Sequence, residues 1–236
     1  MKPFVFKQFE IAQHLCAMKV GTDAVLLGAW ASVYNARTIL DIGTGTGILA
    51  LMLAQKNTLA SITAIDIDES AVIQASHNFA NSKFATQLNI QHTCLQNFVA
   101  QSTVKYDVII SNPPFFENSS RAQDAARNIA RHNDSLTLAE LIQSVQILLA
   151  QNGTFYIVLP ATQQSTLLQL INNNKMYVQQ IMYIHTKEHK APKRILVAVG
   201  KYEKTIKEEN LIIELENRHD YSPEYKALTQ DYYVRF

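Results

Sequence analysis

The chain has 236 residues, of which 47% are hydrophobic and 17% charged, with a formal net charge of +1 at pH 7. This length supports one large core or two smaller ones, and the composition excludes a disordered or collagen-like chain. A charge so near zero neither demands nor excludes a nucleic-acid partner. The two cysteines, Cys16 and Cys94, are too few for a disulfide framework or a metal knuckle. The sequence lacks the roughly eighteen-residue apolar run of a membrane span. Residues 1–7 lack a signal-peptide core, so the expectation is a cytoplasmic protein without a metal.

In chain order, residues 1–37 precede the first strand signal and read as an N-terminal extension. Within it, residues 20–30 read as an amphipathic helix with its N-cap at Thr22 or Asp23. Residues 38–42 form a predicted strand, then come a glycine loop at 43–47 and a helix over 48–54. Strands follow at 61–66, 88–93 and 106–111, with a helix over 69–81 between the first two. A helix over 136–150 leads to a strand at 154–159, and another helix covers 163–173. Two extended segments, 177–185 and 195–202, are joined by a hairpin connection at 187–194. A short strand at 211–215 and a helix near 225–230 complete the chain.

Strands alternating with helices imply βαβ units and a parallel sheet. The predicted fold is α/β: a doubly wound, Rossmann-like sheet, mostly parallel, with one antiparallel strand from the C-terminal hairpin. A single domain is expected, with an extension (1–37), a core sheet (38–203) and a C-terminal appendage (204–236).

Gly43, Gly45 and Gly47 stand just after a strand and open a helix, where glycines permit tight turning and close approach to a ligand. Their spacing is G-x-G-x-G, not the G-x-G-x-x-G of a dinucleotide fingerprint. Asp41, at the strand end, would repel a pyrophosphate but accept from an ammonium group. That favours S-adenosyl-L-methionine over a nicotinamide dinucleotide; a purely structural glycine turn is the bland alternative. Asp66 ends the next strand and is placed to accept from two ribose hydroxyls, whereas Asp68 reads as a helix N-cap. After the third strand stands Gln96, a candidate contact for the adenine of the cofactor.

Asn112-Pro113-Pro114-Phe115 follows the apolar strand Val108-Ile109-Ile110. Consecutive prolines stiffen the chain and remove backbone donors, leaving carbonyls as acceptors. With the Asn112 amide oxygen and the flat ring of Phe115, this suits holding a planar amino group while its nitrogen reacts. Asn-Pro and Pro-Pro are also ordinary loop punctuation. Beyond it, Arg121, Arg127, Arg131 and His132 are candidates for gripping phosphates, or simply one solvated helix face. From His185 to Lys207 seven bases stand against Glu188 and Glu203, a local charge of +5, and Lys193 and Arg194 sit at the hairpin turn. A phosphate-facing patch and a solvated face are both open there.

The glycine loop, Asp66 and Asn112-Pro113-Pro114-Phe115 together resemble class I S-adenosylmethionine-dependent methyltransferases acting on planar nitrogens. Residues 18–30, Ala130-Arg131-His132 and Lys193-Arg194 resemble, more narrowly, the bacterial tRNA1(Val) adenosine-37 N6-methyltransferases. The resemblance runs over almost the whole chain. It implies methyl transfer to N6 of an adenosine in a tRNA anticodon loop, without a metal and by a monomer. It also implies that the extension closes over the cofactor through Lys19, Gly21, Thr22 and Asp23. A protein glutamine N5-methyltransferase, or a cofactor-binding RNA-interaction protein without catalysis, remains the alternative.

Overall fold

The computed structural model describes residues 2–16, 18–114 and 136–236. A two-stranded antiparallel ribbon, β1 (Phe4–Val5) and β2 (Glu10–Ile11), precedes helix α1 (Thr22–Trp30). The core then runs β3 (Thr38–Ile42), α2 (Ile48–Lys56), β4 (Ser61–Asp66), α3 (Glu69–Ala80), β5 (Leu88–His92), α4 (Leu95–Gln101) and β6 (Tyr106–Ser111). After it come α5 (Leu138–Leu148), β7 (Leu149–Pro160), α6 (Gln164–Asn173), β8 (Tyr177–His185) and β9 (Arg194–Gly200). The chain closes with β10 (Lys207–Ile212) and α7 (Pro223–Thr229).

Eight strands form one sheet in the order β10-β8-β9-β7-β6-β3-β4-β5. All neighbours are parallel except β7–β9 and β8–β9, so β9 alone runs against the rest. Strands buried on both faces read as continuous apolar runs, and β3 and β6 do so here. Their residues still divide by face with period two. Ile39, Val108 and Ile110 join a core with α1, α2 and α7, while Leu40, Ile42 and Ile109 join a second core with α4, α5 and α6. Helices therefore cover both faces. Helix α5 is fixed at its start by a capping box, in which Thr137 and Glu140 each accept from the other's backbone N–H.

Three local expectations are corrected. Helix α1 is capped by Gly21, not by Thr22 or Asp23, and the cap makes no side-chain hydrogen bond. It is also not amphipathic: Ala24 to Ala29 are all buried, because α2, α7 and β7 pack around it. The last predicted strand lies earlier than expected and pairs parallel with β8, extending the large sheet by one edge strand. Asp68 does cap α3, accepting from Ser70 N at 2.9 Å.

The two chain ends are tied together. Phe6 bridges Tyr233, Lys7 N donates to the Tyr232 carbonyl at 2.8 Å, and the Tyr232 hydroxyl donates to the Met52 carbonyl at 3.2 Å. The N-terminal ribbon and α7 thereby form one layer over α1 and α2.

Candidate active site

In an open parallel sheet, ligands bind outside the carboxyl ends of the strands where the strand order reverses. Here the chain moves outward through β3, β4 and β5, then returns to lay β6 on the other side of β3. The reversal lies between β3 and β6. Their ends are in register, Ile42 opposite Ser111, and the Ser111 hydroxyl donates to the Ile42 carbonyl at 2.9 Å. The glycine loop that follows Ile42 and the Asn112-Pro113-Pro114 segment that follows Ser111 therefore leave adjacent strands, about 4.8 Å apart.

All three loop glycines have positive φ: Gly43 +70°, Gly45 +56° and Gly47 +82°. They differ in what surrounds them. Among the described residues, a Cβ on Gly43 or Gly45 would meet nothing within 4 Å, whereas one on Gly47 would collide with the Phe79 ring. The first two glycines border open space, and the third is a packing contact with α3.

Asp41 is fully buried. Its Oδ2 accepts from Thr44 Oγ1 at 2.6 Å and from Ala50 N at 3.2 Å, while Oδ1 has no partner among the described residues. Burial pushes this carboxyl up to about 7; the bonds from Thr44 and Ala50 oppose the rise, and the charge of Asp66 adds to it. An orphaned buried carboxylate oxygen is costly unless a donor reaches it. Asp66, at the end of β4, accepts from Gly45 N at 2.8 Å and from Asp68 N at 3.0 Å, which fixes its carboxylate against the loop.

Two residues on α3, one of which holds the loop, were not anticipated. Asn78 on α3 donates to the Thr46 carbonyl at 2.8 Å and exchanges bonds with both backbone groups of Ala12. One turn earlier, Gln74 accepts from Leu15 N at 3.1 Å, and its buried Nε2 has no partner among the described residues. The signal in the sequence was an amide pair at i, i+4 on the apolar face of a helix. Through it, α3 joins the glycine loop to residues 12–15 of the N-terminal segment.

That segment is shaped by Lys19, whose Nζ donates to the carbonyls of Gln13 at 2.6 Å and Cys16 at 3.0 Å. Gly21 caps α1, and Thr22 and Asp23 form its first turn. Asp23 accepts from Arg194 Nε at 2.9 Å, so α1 is clamped to the start of β9. Gln96 on α4 is exposed and donates to Glu140 at 3.3 Å.

Asn112 is half-buried, Pro113 buried and Pro114 exposed. The Asn112 amide makes no hydrogen bond among the described residues, so its oxygen remains an available acceptor at the crevice. Phe115, Arg121, Arg127, Arg131 and His132 lie outside the described residues.

The basic run 185–207 does not form one patch. Strand β9 crosses the sheet, leaving Lys187, Lys190, Lys193 and Arg194 at the carboxyl edge and Lys201, Lys204 and Lys207 at the opposite edge. Several of these charges are already engaged: Lys187 with the Glu216 carbonyl, Lys201 with the Leu149 carbonyl and Lys207 with Glu209.

The family model for the methyltransferase small domain matches residues 18–184. A tRNA1(Val) (adenine(37)-N6)-methyltransferase from Bacteroides thetaiotaomicron is 45% identical over 233 residues, covering 98% of this chain and 97% of that protein. One from Parabacteroides distasonis is 41% identical, with 98% of each chain covered.

This chain belongs to the tRNA1(Val) (adenine(37)-N6)-methyltransferase family.

Family membership implies S-adenosylmethionine-dependent methyl transfer. The fold agrees with solved structures of a predicted O-methyltransferase from Agrobacterium tumefaciens (TM-score 0.72, 16% identity, 89% and 96% of the two chains). It also agrees with a putative RNA methyltransferase from Pyrococcus horikoshii (TM-score 0.56, 16% identity, 84% and 93%). No helix of the described residues is long and apolar enough to cross a membrane. No group of three metal-ligating side chains occurs among those residues.

The crevice fits the cofactor of this family on its own chemistry. Among the described residues, Asp41 Oδ1 is an acceptor and Gln74 Nε2 a donor without a partner, a need that an ammonium and a carboxylate answer. Open space in front of Gly43 and Gly45 and a fixed carboxylate on Asp66 complete the cradle.

Proposed function

We propose that this chain transfers a methyl group from S-adenosyl-L-methionine to the exocyclic N6 of adenosine 37 in the anticodon loop of valine tRNA. The observation that carries the reading is the adjacency of two strand ends. The glycine loop after β3 and the stiff, acceptor-rich Asn112-Pro113-Pro114 after β6 meet at the reversal of the sheet. The names of the full-length relatives support the choice of tRNA and of adenine.

In this reading Gly43 and Gly45 admit the cofactor, Asp41 accepts from its ammonium and Asp66 from its ribose hydroxyls. Lys19, Gly21, Thr22 and Asp23 shape the segment that covers it, with Gly47 as a packing support and Gln96 near the adenine. When bound, the cofactor supplies an electrophilic methyl on a positively charged sulfur. The adenine N6 is a weak nucleophile because its lone pair is delocalised into the ring. Asn112 Oδ1 and the Pro113 carbonyl accept from the two N6–H bonds, turning the lone pair toward the methyl. Pro114 keeps this segment rigid, and Phe115 stacks on the base. N6 forms the new bond to carbon, the sulfur keeps the electron pair of the broken bond, and the proton leaves N6 for water. Positioning supplies most of the rate. The adenosine leaves its stack at modest cost because it lies in a loop.

The N-terminal segment is tied to α3, α2 and the C-terminal segment. It does not stand apart as a substrate-docking module, which argues against a glutamine N5-methyltransferase. The test is methyl transfer from labelled cofactor to total tRNA lacking the modification, beside a glutamine-bearing release-factor peptide. Label in the tRNA supports the reading; label in the peptide alone overturns it.

A further inference from the structure

A cavity of about 560 Å³ opens between the first turn of α1, the start of β9 and the C-terminal segment. This volume is ordinary for a small-ligand site and suffices for one nucleotide. Its walls come from five separate parts of the chain: Phe4, Thr22 with Asp23, the residues around 184–194, those around 213–225, and 233–236.

Three cationic side chains line it with no hydrogen-bond or ion-pair partner among the described residues: Lys193, Arg218 and Arg235. All three are exposed. A fourth, Arg194, is held on Asp23. The acids in the wall are already engaged, Asp23 by Arg194 and Glu214 by the backbone N–H of His219 at 2.9 Å. The floor is aromatic. Tyr221 stacks on Tyr225 with ring centres 5.1 Å apart, and Phe236 meets Tyr221 edge-on at 6.2 Å while staying 47% exposed. Partnerless cations above an open aromatic face are what an unpaired nucleotide needs: charge for its phosphate and a flat surface for its base.

The position matters as much as the chemistry. Arg194 begins β9 and pairs with Pro160 at the end of β7, so the cavity lies on the same carboxyl edge as Asn112. Strand β9 is two strands from β6, a lateral step of about 10 Å. A step of that length is within reach of an RNA strand that places one base in the crevice.

We propose that this cavity is a second nucleotide site, which takes an unstacked base and its phosphate from the tRNA strand beside the target adenosine. The proposal rests on the RNA-methylation reading above and adds a site that the catalytic motifs do not contain. Arg218 and Arg235 hold the phosphate with Lys193, and Phe236 with Tyr221 receives the base.

The test compares binding of unmodified valine tRNA to the wild type, to Arg218→Ala/Arg235→Ala and to Phe236→Ala over a range of salt concentrations. Melting and cofactor titration of each variant confirm a folded protein. The double variant is expected to bind about tenfold or more weakly near physiological salt, with its log–log salt slope reduced by roughly 0.7–0.9 per lost contact. Phe236→Ala is expected to weaken binding about tenfold with an unchanged slope, since stacking releases no counterions. Wild-type affinity and slope in both variants, with the wild type still methylating the tRNA, would overturn the second site alone. If the wild type neither binds nor methylates tRNA while the cofactor binds, the RNA reading itself is wrong.

Discussion

The carboxyl edge of the sheet carries two regions built in opposite ways. The crevice between β3 and β6 is made from two short contiguous stretches, 41–47 and 112–114, each fixed by the strand it leaves. The cavity beside it is made from single residues as far apart as Phe4, Asp23, Lys193 and Arg235. Chemistry that must be held to fractions of an ångström sits on rigid strand ends; charge that must only attract a polyanion is spread over segments brought together late. Contiguous motifs are legible in a sequence, and long-range assemblies are not.

The comparison predicts that the two regions fail differently. The largest effect belongs to Asn112→Ala. Loss of the acceptor that strengthens as N6 reacts should lower single-turnover methyl transfer by about 10²–10³-fold, as for loss of an oxyanion-hole donor. Cofactor and tRNA affinity, measured by calorimetry and salt titration, should stay near wild type. A loss of affinity matching the loss of rate would mean that Asn112 serves binding.

Next is Asp41. Its folded value near 7 lies above the unfolded value of 3.8, so the free protein binds the extra proton between these values. Stability from this group is therefore full below pH 4 and is lost as the pH rises through about 7. An ammonium ligand requires the ionised form, so cofactor binding should strengthen as the pH rises through 7 and release close to one proton at pH 6. Calorimetry in buffers of different ionisation enthalpy measures that release. Asp41→Asn should abolish it and weaken cofactor binding at pH 8 by roughly tenfold or more, as expected for a lost hydrogen bond to a charged group.

The glycines sharpen the contrast within the crevice itself. Gly47→Ala places a methyl against the Phe79 ring in a left-handed backbone. It should cost about 2–4 kcal/mol of stability in denaturant melts. Gly45→Ala meets no neighbour among the described residues and should cost about 1–2 kcal/mol, while its methyl intrudes on the cofactor and lowers affinity more than stability. The smallest effect belongs to the clamp between the regions. Asp23 and Arg194 keep 26% and 29% of their side chains exposed, so a double-mutant cycle should return at most about 1 kcal/mol of coupling in stability.

Strands β3, β4, β6, β7 and β9 were legible because each contains an apolar run, β5 showed only the alternation of Leu88 and Ile90, and the order of strands and helices implied the doubly wound sheet. Helix α4 was missed: only Leu95 and Phe98 are buried in its seven residues, too few to show a period. The pair β1–β2 was missed because two-residue strands carry no alternation. Helix α1 was read as amphipathic because polar Thr22 and Asp23 open it, whereas Ala24 to Ala29 carry no polar stripe, as befits a helix buried on all sides. The acidic start of β10 reads as a solvated segment, and only its pairing with β8 makes it a strand.

In the candidate site, the positions of Gly43, Asp66 and Asn112 at or just after strand ends were legible from the sequence. Asn78 and Gln74 were passed over, because their one signal, an amide pair at i, i+4 on the apolar face of α3, says nothing of the backbone groups it meets. The basic run 185–207 read as one patch because charge was counted along the chain, whereas β9 carries its two ends to opposite edges of the sheet.

The account stands on the crevice being a site for N6 of one adenosine. Unmodified valine tRNA, incubated with the protein and S-adenosyl-L-methionine and then cut with a base-specific nuclease, can be mapped by fragment mass spectrometry. The account predicts one added methyl, on the fragment carrying position 37, released as N6-methyladenosine on full digestion. A methyl on another base or on a ribose, or an unmodified tRNA despite bound cofactor, would contradict it.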